Sequence, residues 1–122
     1  MENSIKTFRD LKVWQKGMDL CLLIYQSTEE FPDREKFGLT SQMRRCSVSI
    51  PSNIAEGYGR KSTKDYIRFL QISIGSIYEL QTQTEISEKL KYLNQEAMTE
   101  INSKSNEIER MLSSLIQKLK TG

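Results

Sequence analysis

Histidine is absent from this 122-residue chain, so the commonest general base and metal ligand is missing. What remains for chemistry is two cysteines, two of the sixteen carboxylates that are candidates for the interior, and a set of cations. Cys21 and Cys46 lack a C-x-x-C spacing, and each falls on an apolar helical stripe, which marks small buried hydrophobes. Nothing marks the chain as secreted, so no disulfide is expected. Glu56 and Glu79 are flanked by Ile54 and Leu80, which makes them candidates for the interior. A carboxylate–metal bundle would need Glu-x-x-His pairs, so no metal is expected. Acid–base work would need a nucleophile or metal beside the two glutamates, and a deep pocket lined by Glu56, Glu79 and Arg45. They are instead expected in a structural polar network with Arg45, Ser49 and Asn53. The chain is read as non-enzymatic, with no catalytic residue and no cofactor.

The stretch Gly57-Tyr58-Gly59-Arg60-Lys61-Ser62-Thr63 has the composition of a phosphate loop but not its spacing. A P-loop needs four residues between its first Gly and a Gly-Lys-Ser/Thr, and it follows a strand. Here no Gly directly precedes the Lys, and a helix leads in. The amides that open the next helix, flanked by Arg60, Lys61 and Lys64, could still hold an anion; the competing reading is a solvated basic turn. With Arg44, Arg45 and Arg68 these cations are candidates for one basic, phosphate-binding surface near the turn. Ordinary solubilising charge is the alternative, and a ring of subunits would multiply the patch.

The elements that must position these residues are helical. Two prolines and six glycines leave long stretches free of breakers, and no run alternates apolar and polar residues for long. Asp10 can cap a first helix over about 11–29, with Phe8 packed back on it. Leu11, Trp14, Met18, Cys21 and Tyr25 give that helix one face, with Val13, Leu20, Leu23 and Ile24 as a second strip. It should fade before Phe31-Pro32, since the residue ahead of proline disfavours the helical region. Phe37 and Leu39 are expected to pin the following connector to the core.

A second helix spans about 40–57, with Met43, Cys46, Ile50, Ile54 and Gly57 on one seam. Pro51 lacks an amide proton and crowds the Ser47 carbonyl, which predicts a kink rather than a break. That carbonyl would then be served by Ser47 itself or by water. Gly57 and Gly59 are expected to close the helix in left-handed backbone. Ser62-Thr63-Lys64-Asp65 approximates a capping box for a third helix over about 63–90. Tyr66, Leu70, Ile74, Ile77 and Thr84 form its stripe, widened by Phe69, Ile72, Leu80 and Ile86. Gly75 in mid-helix costs about 1 kcal/mol relative to alanine, which predicts a close backbone approach there. Asn94 can cap a fourth helix over about 95–119, whose seam is Ile101, Ser105, Ile108, Leu112, Leu115 and Leu119. Lys118 and Lys120 suit its C-terminal dipole. Four helices with short links predict a single domain over 1–122, an all-α, antiparallel up-down-up-down bundle kinked at Pro51. Helices one and three carry more apolar surface than one core needs, and a subunit interface would use it.

Net charge is +2, unevenly spread: residues 34–70 hold eight basic and three acidic side chains, a surplus of five. Met1-Glu2-Asn3-Ser4 begins with an acid and lacks the apolar core of a signal peptide. The longest apolar run, Leu20 to Tyr25, is far short of a membrane span. A cytoplasmic protein without membrane contact is expected.

Phe8-Arg9-Asp10-Leu11-Lys12-Val13-Trp14-Gln15-Lys16, Phe37 to Arg45, Ser49-Ile50-Pro51-Ser52-Asn53-Ile54-Ala55-Glu56-Gly57 and Gly75-Ser76-Ile77-Tyr78-Glu79-Leu80 together resemble the four-helix-bundle proteins of the 23S rRNA intervening-sequence family. The match keeps order and spacing over nearly the whole chain. Gly17 and Cys46 depart from it, standing where alanine is common; both are small, so packing should survive. The resemblance implies a bacterial protein whose bundle assembles into a homopentamer. The sequence is similar also to the accessory variability protein of diversity-generating retroelements, a basic pentamer that binds a reverse transcriptase and nucleic acid. Most of the family has no established activity, and it supplies no catalytic residues.

Two functions follow as expectations. One is an oligomeric module that binds structured, rRNA-like RNA or DNA through Arg44, Arg45, Arg60, Lys61, Lys64 and Arg68. The other is a protein–protein scaffold, for a reverse transcriptase or a ribosome-associated partner, without direct nucleic-acid contact.

Overall fold

Four helices follow one another in the computed structural model, which describes residues 4–122: α1 (Lys12–Ser27), α2 (Leu39–Tyr58), α3 (Thr63–Lys89) and α4 (Gln95–Thr121). Single 3-10 turns at Phe8–Asp10 and Asp33–Glu35 precede α1 and α2. The reading of Met1-Glu2-Asn3 falls outside the described residues.

Cross-helix contacts fix the topology. Gly17 of α1 lies against Pro51 of α2, while Cys21 lies beside Ser47. The Ser73 hydroxyl of α3 donates to the Ile50 carbonyl (2.9 Å), and the Cys46 thiol donates to the Ser76 carbonyl (2.9 Å). Tyr78 donates to Glu109 (3.3 Å), and Gln81 donates to Asn106 (2.8 Å). In each pair numbers fall on one helix as they rise on the other, so neighbours run antiparallel, as the short links require.

The core is aliphatic. Leu20 and Ile24 of α1, Met43, Ile50 and Ile54 of α2, Leu70, Ile77 and Leu80 of α3, and Ile101 and Leu112 of α4 are fully buried. The expected seam of α2 is wholly buried, and α2 runs unbroken through Pro51. On α4, Ile116 joins the buried seam while Leu115 and Leu119 sit at its margin.

Several expectations are corrected. The buried face of α1 is Val13, Gly17, Leu20 and Ile24; Met18 and Tyr25 are exposed. Gly17 lies against Pro51 at ordinary packing distance, a Cβ there standing 3.4 Å from the Pro51 Cβ, and the strip that packs inward around it is Val13, Leu20 and Ile24. An apolar count sees only a gap at that position. Asp10 does not cap α1 directly. Its carboxylate accepts from the Lys6 and Thr7 amides and closes a reciprocal capping box with Thr7. Phe8 packs edge-on to Trp14.

Neither Gly57 nor Gly59 takes left-handed backbone; Gly59 has φ −80°. The left-handed residue is Lys91, φ 69°, in the α3–α4 turn. Gly57 is needed for space, since a Cβ there would meet the Phe69 Cβ at 2.8 Å. Gly75 shows the converse: no other helix comes within 4 Å of where its Cβ would be. The expected close approach at Gly75 therefore does not occur within the chain. Phe37 does not pin the connector, being 87% exposed; Phe31 does, buried and packed on the Tyr92 ring at 5.4 Å. The Ser47 hydroxyl turns back to the Arg44 carbonyl (2.8 Å) instead of serving its own.

Candidate nucleic-acid interface

The two predicted caps that frame the hairpin and the last turn are present. Ser62 Oγ accepts from the Asp65 amide (3.1 Å), and Asn94 Oδ1 accepts from the Ala97 amide (2.7 Å). The Asp65 carboxylate pairs with Arg68 at 3.5 Å and adds its charge to the first turn of α3.

The six candidate cations do not form one surface. Arg44 is drawn to α1: its Nε donates to Thr28 Oγ1 (2.8 Å), an Nη donates to the Tyr25 carbonyl (3.3 Å), and the guanidinium lies 4.8 Å from the Tyr25 ring centre. It closes the C-terminal end of α1, where a cation offsets the helix dipole. Arg45 is exposed on the α3 side of α2. The fifteen residues from Arg45 to Arg60 put it roughly 20 Å along the bundle from the turn, at 1.5 Å per residue. Arg60, Lys61, Lys64 and Arg68 do stay together at the turn. Arg60 pairs with Glu56 (3.0 Å), and the Arg60 and Arg68 guanidiniums each lie 4.6 Å from the centre of the Phe69 ring. Those contacts hold two long side chains in place, each with a carboxylate partner, Glu56 for Arg60 and Asp65 for Arg68.

The expected polar network is split. Ser49 and Ser76 hydroxyls bond to each other, and Asn53 donates to the Ser49 carbonyl (2.8 Å). Arg45, Ser49 and Glu79 line one open groove of about 330 Å³ with Gln42 and Cys46. No ion pair joins Arg45 to Glu79, and Gln83 donates to Glu79 instead (3.4 Å). Glu56 leaves the network for Arg60. Both glutamates are exposed rather than interior, since each lies on the outer side of its helix. Burial pushes the Cys46 thiol up to about 12, helped by the nearby Glu79 carboxylate. The cysteines are free, Cys46 buried and Cys21 half-buried. Among the described residues no three His, Cys, Asp or Glu side chains gather where they could hold a metal ion. No helix among them is long and apolar enough to cross a membrane.

The fold creates a charge asymmetry of a different kind from the one along the sequence. Antiparallel packing brings the lead-in, the start of α1, the α2–α3 turn and the end of α4 to one end of the bundle. The Tyr58 hydroxyl reaches the Ile5 carbonyl there (3.5 Å). Within six residues of the helix ends at that pole stand ten basic and three acidic side chains among the described residues. They include Lys6, Arg9 and Lys12, the four turn cations, and Lys118 and Lys120. The opposite end carries eight acidic and five basic side chains by the same count. Sequence reasoning assigned Lys118 and Lys120 only to the dipole of α4 and passed over Lys6, Arg9 and Lys12. They are far apart in the chain, and only the topology unites them.

A family model described as 23S rRNA-intervening sequence protein matches residues 9–114. No curated protein matches the chain. Among solved structures, the chain is similar to a protein of unknown function from the S23 ribosomal protein family of Bacteroides thetaiotaomicron. The two are 27% identical with a TM-score of 0.77, over 85% of this chain and 97% of that one.

Proposed function

The chain belongs to the 23S rRNA-intervening sequence protein family, and from that membership we propose a non-enzymatic module that binds structured, rRNA-like nucleic acid. The carrying observation is the basic end of the bundle, with ten cations against three carboxylates. Clustered lysine and arginine of this kind displace counterions from a phosphate backbone. The contact residues are Arg60, Lys61, Lys64 and Arg68, joined by Lys118 and Lys120; Arg44 and Arg45 take no part. The module works in the bacterial cytoplasm as a homo-oligomer, a pentameric ring. The exposed side chains Met18, Leu22 and Tyr25, which fall on one face of α1, support assembly. In a ring of parallel protomers the basic ends share one rim.

The test is binding of an rRNA stem-loop, read by fluorescence anisotropy between 50 and 200 mM salt. A steep fall of log K with log salt is expected. Lys61→Ala with Lys64→Ala should flatten the slope by about two. No binding at the lowest salt, or a flat slope, would sink the proposal.

A scaffold for a reverse transcriptase or ribosome-associated protein is the second reading, favoured by Phe37, which stands in solvent at the acidic end. Co-purification of a protein partner that survives nuclease, together with failure to bind RNA, would select it.

A further inference from the structure

Cations alone account for a grip on phosphate, yet the basic end also contains apolar surface that phosphate does not use. Between the start of α3 and the end of α4 runs a groove of about 710 Å³. Lys64, Arg68 and Lys120 stand on its rim. Ile67 and Leu119 form its floor, packed against the core on one side and half-exposed on the other, and Gln71 lies beside them. Asp65 also lines the groove, with its carboxylate taken by Arg68.

A duplex presents phosphates outside and hides its base faces, so cations on an open surface suffice to hold it. An aliphatic floor ringed by cations matches a ligand with an anionic edge and a flat, apolar body. An unpaired nucleotide is such a ligand, because bases in loops, bulges and ends expose their faces and pairing edges. The volume lies within the roughly 300–1,000 Å³ of ordinary small-ligand sites, a scale of single nucleotides rather than of a helix. The Gln71 amide offers both a donor and an acceptor to a base edge. Lys64 and Lys120, with Arg68 offset in part by Asp65, supply the complementary charge for the flanking phosphates.

We propose that the α3–α4 groove holds unpaired nucleotides, so that the protein prefers single-stranded or looped RNA to closed duplex. The inference rests on the nucleic-acid reading above and sharpens it to one class of RNA. Lys64, Arg68 and Lys120 serve both; Gln71 and Leu119 belong to the groove alone.

The experiment compares an unstructured RNA with a closed duplex of equal length and charge, by anisotropy at one salt concentration. The proteins are the wild type, Gln71→Ala/Leu119→Gln, and Gln71→Ala alone. The wild type should bind the unpaired RNA about tenfold tighter, a difference of about 1.4 kcal/mol. The double variant should lose that preference and keep its affinity for duplex. Equal affinities in the wild type, or a preference that survives in the double variant, would overturn the groove and leave the nucleic-acid reading intact. Failure to bind either RNA at low salt would remove both. Should Leu119→Gln lower the melting temperature, Gln71→Ala at its exposed position decides the matter by the same comparison.

Discussion

Gly57 lies so close beneath Phe69 that a Cβ on the glycine would stand 2.8 Å from the phenylalanine Cβ, with the Tyr66 carbonyl 3.2 Å away. Carbon atoms do not approach that closely, so the α2–α3 crossing exists only because position 57 has no side chain. Gly57→Ala should therefore destabilise the bundle by about 1–3 kcal/mol in chemical denaturation, the range for overpacked cores. Gly75→Ala should do the reverse, gaining about 0.5–1 kcal/mol, because helix propensity improves and nothing stands in the way. Gly75→Leu should likewise leave the protomer folded. Equal responses at the two glycines would show the crossing to be softer than its geometry.

Arg44 ties α2 to the end of α1 rather than to a ligand. Arg44→Ala should cost about 1–3 kcal/mol, by leaving the buried Thr28 hydroxyl without its donor and removing one partner of the Tyr25 carbonyl. RNA affinity should stay within twofold of wild type. A large loss of affinity with unchanged melting would put Arg44 back among the contact residues.

The connector is held by a carboxylate. Glu35 accepts from the Leu39 amide (3.0 Å) and from the Tyr92 hydroxyl (3.0 Å), and these bonds hold its pKa below the usual glutamate range. A depressed carboxylate pKa contributes stability that is complete above the unfolded value and is lost as pH falls through the folded one. Stability should thus decline on the acid side. Asp10, lowered by the Thr7 and Lys6 amides, adds in the same direction. Tyr92→Phe removes one of the Glu35 bonds, so the folded value rises and the acid loss should become shallower. Urea denaturation repeated at several pH values reads this; superimposable profiles would show the hydroxyl contributes nothing.

Leu22, 58% exposed between Met18 and Tyr25, tests assembly. Leu22→Asp should leave the helical signal in circular dichroism unchanged and reduce the mass seen by analytical ultracentrifugation to that of one chain. A wild type already sedimenting at 14.2 kDa would remove the ring.

The helices were legible because their signals are local. Apolar residues at three- and four-residue steps, Ser62 and Asn94 before helical runs, and proline after Phe31 act within a few residues of themselves. Their bounds agree with α1 to α4 within a turn. Where the reading failed, the deciding partner was remote in sequence. The inward face of α1 was decided by its packing on α2, where Gly17 lies against Pro51. Gly57, read as a helix stop, is a packing site against Phe69. Phe37, read as an anchor, was displaced by Phe31, which finds Tyr92. Arg44 and Arg45 are neighbours in sequence, but they leave α2 on different sides, one toward Tyr25 and the other toward Glu79.

Period and capping, which depend on bonds between near neighbours, determined that this chain makes four rods. Which side of each rod meets another depends on contacts across the bundle, and no periodicity contains them. The same is true of charge. A surplus of cations in residues 34–70 is a fact of order along the chain, whereas repulsion and attraction depend on distance in space. Antiparallel packing carries Arg44 to the acidic end and brings Lys6 and Lys120 to the basic one. Tertiary structure alone thereby gave the bundle its two poles.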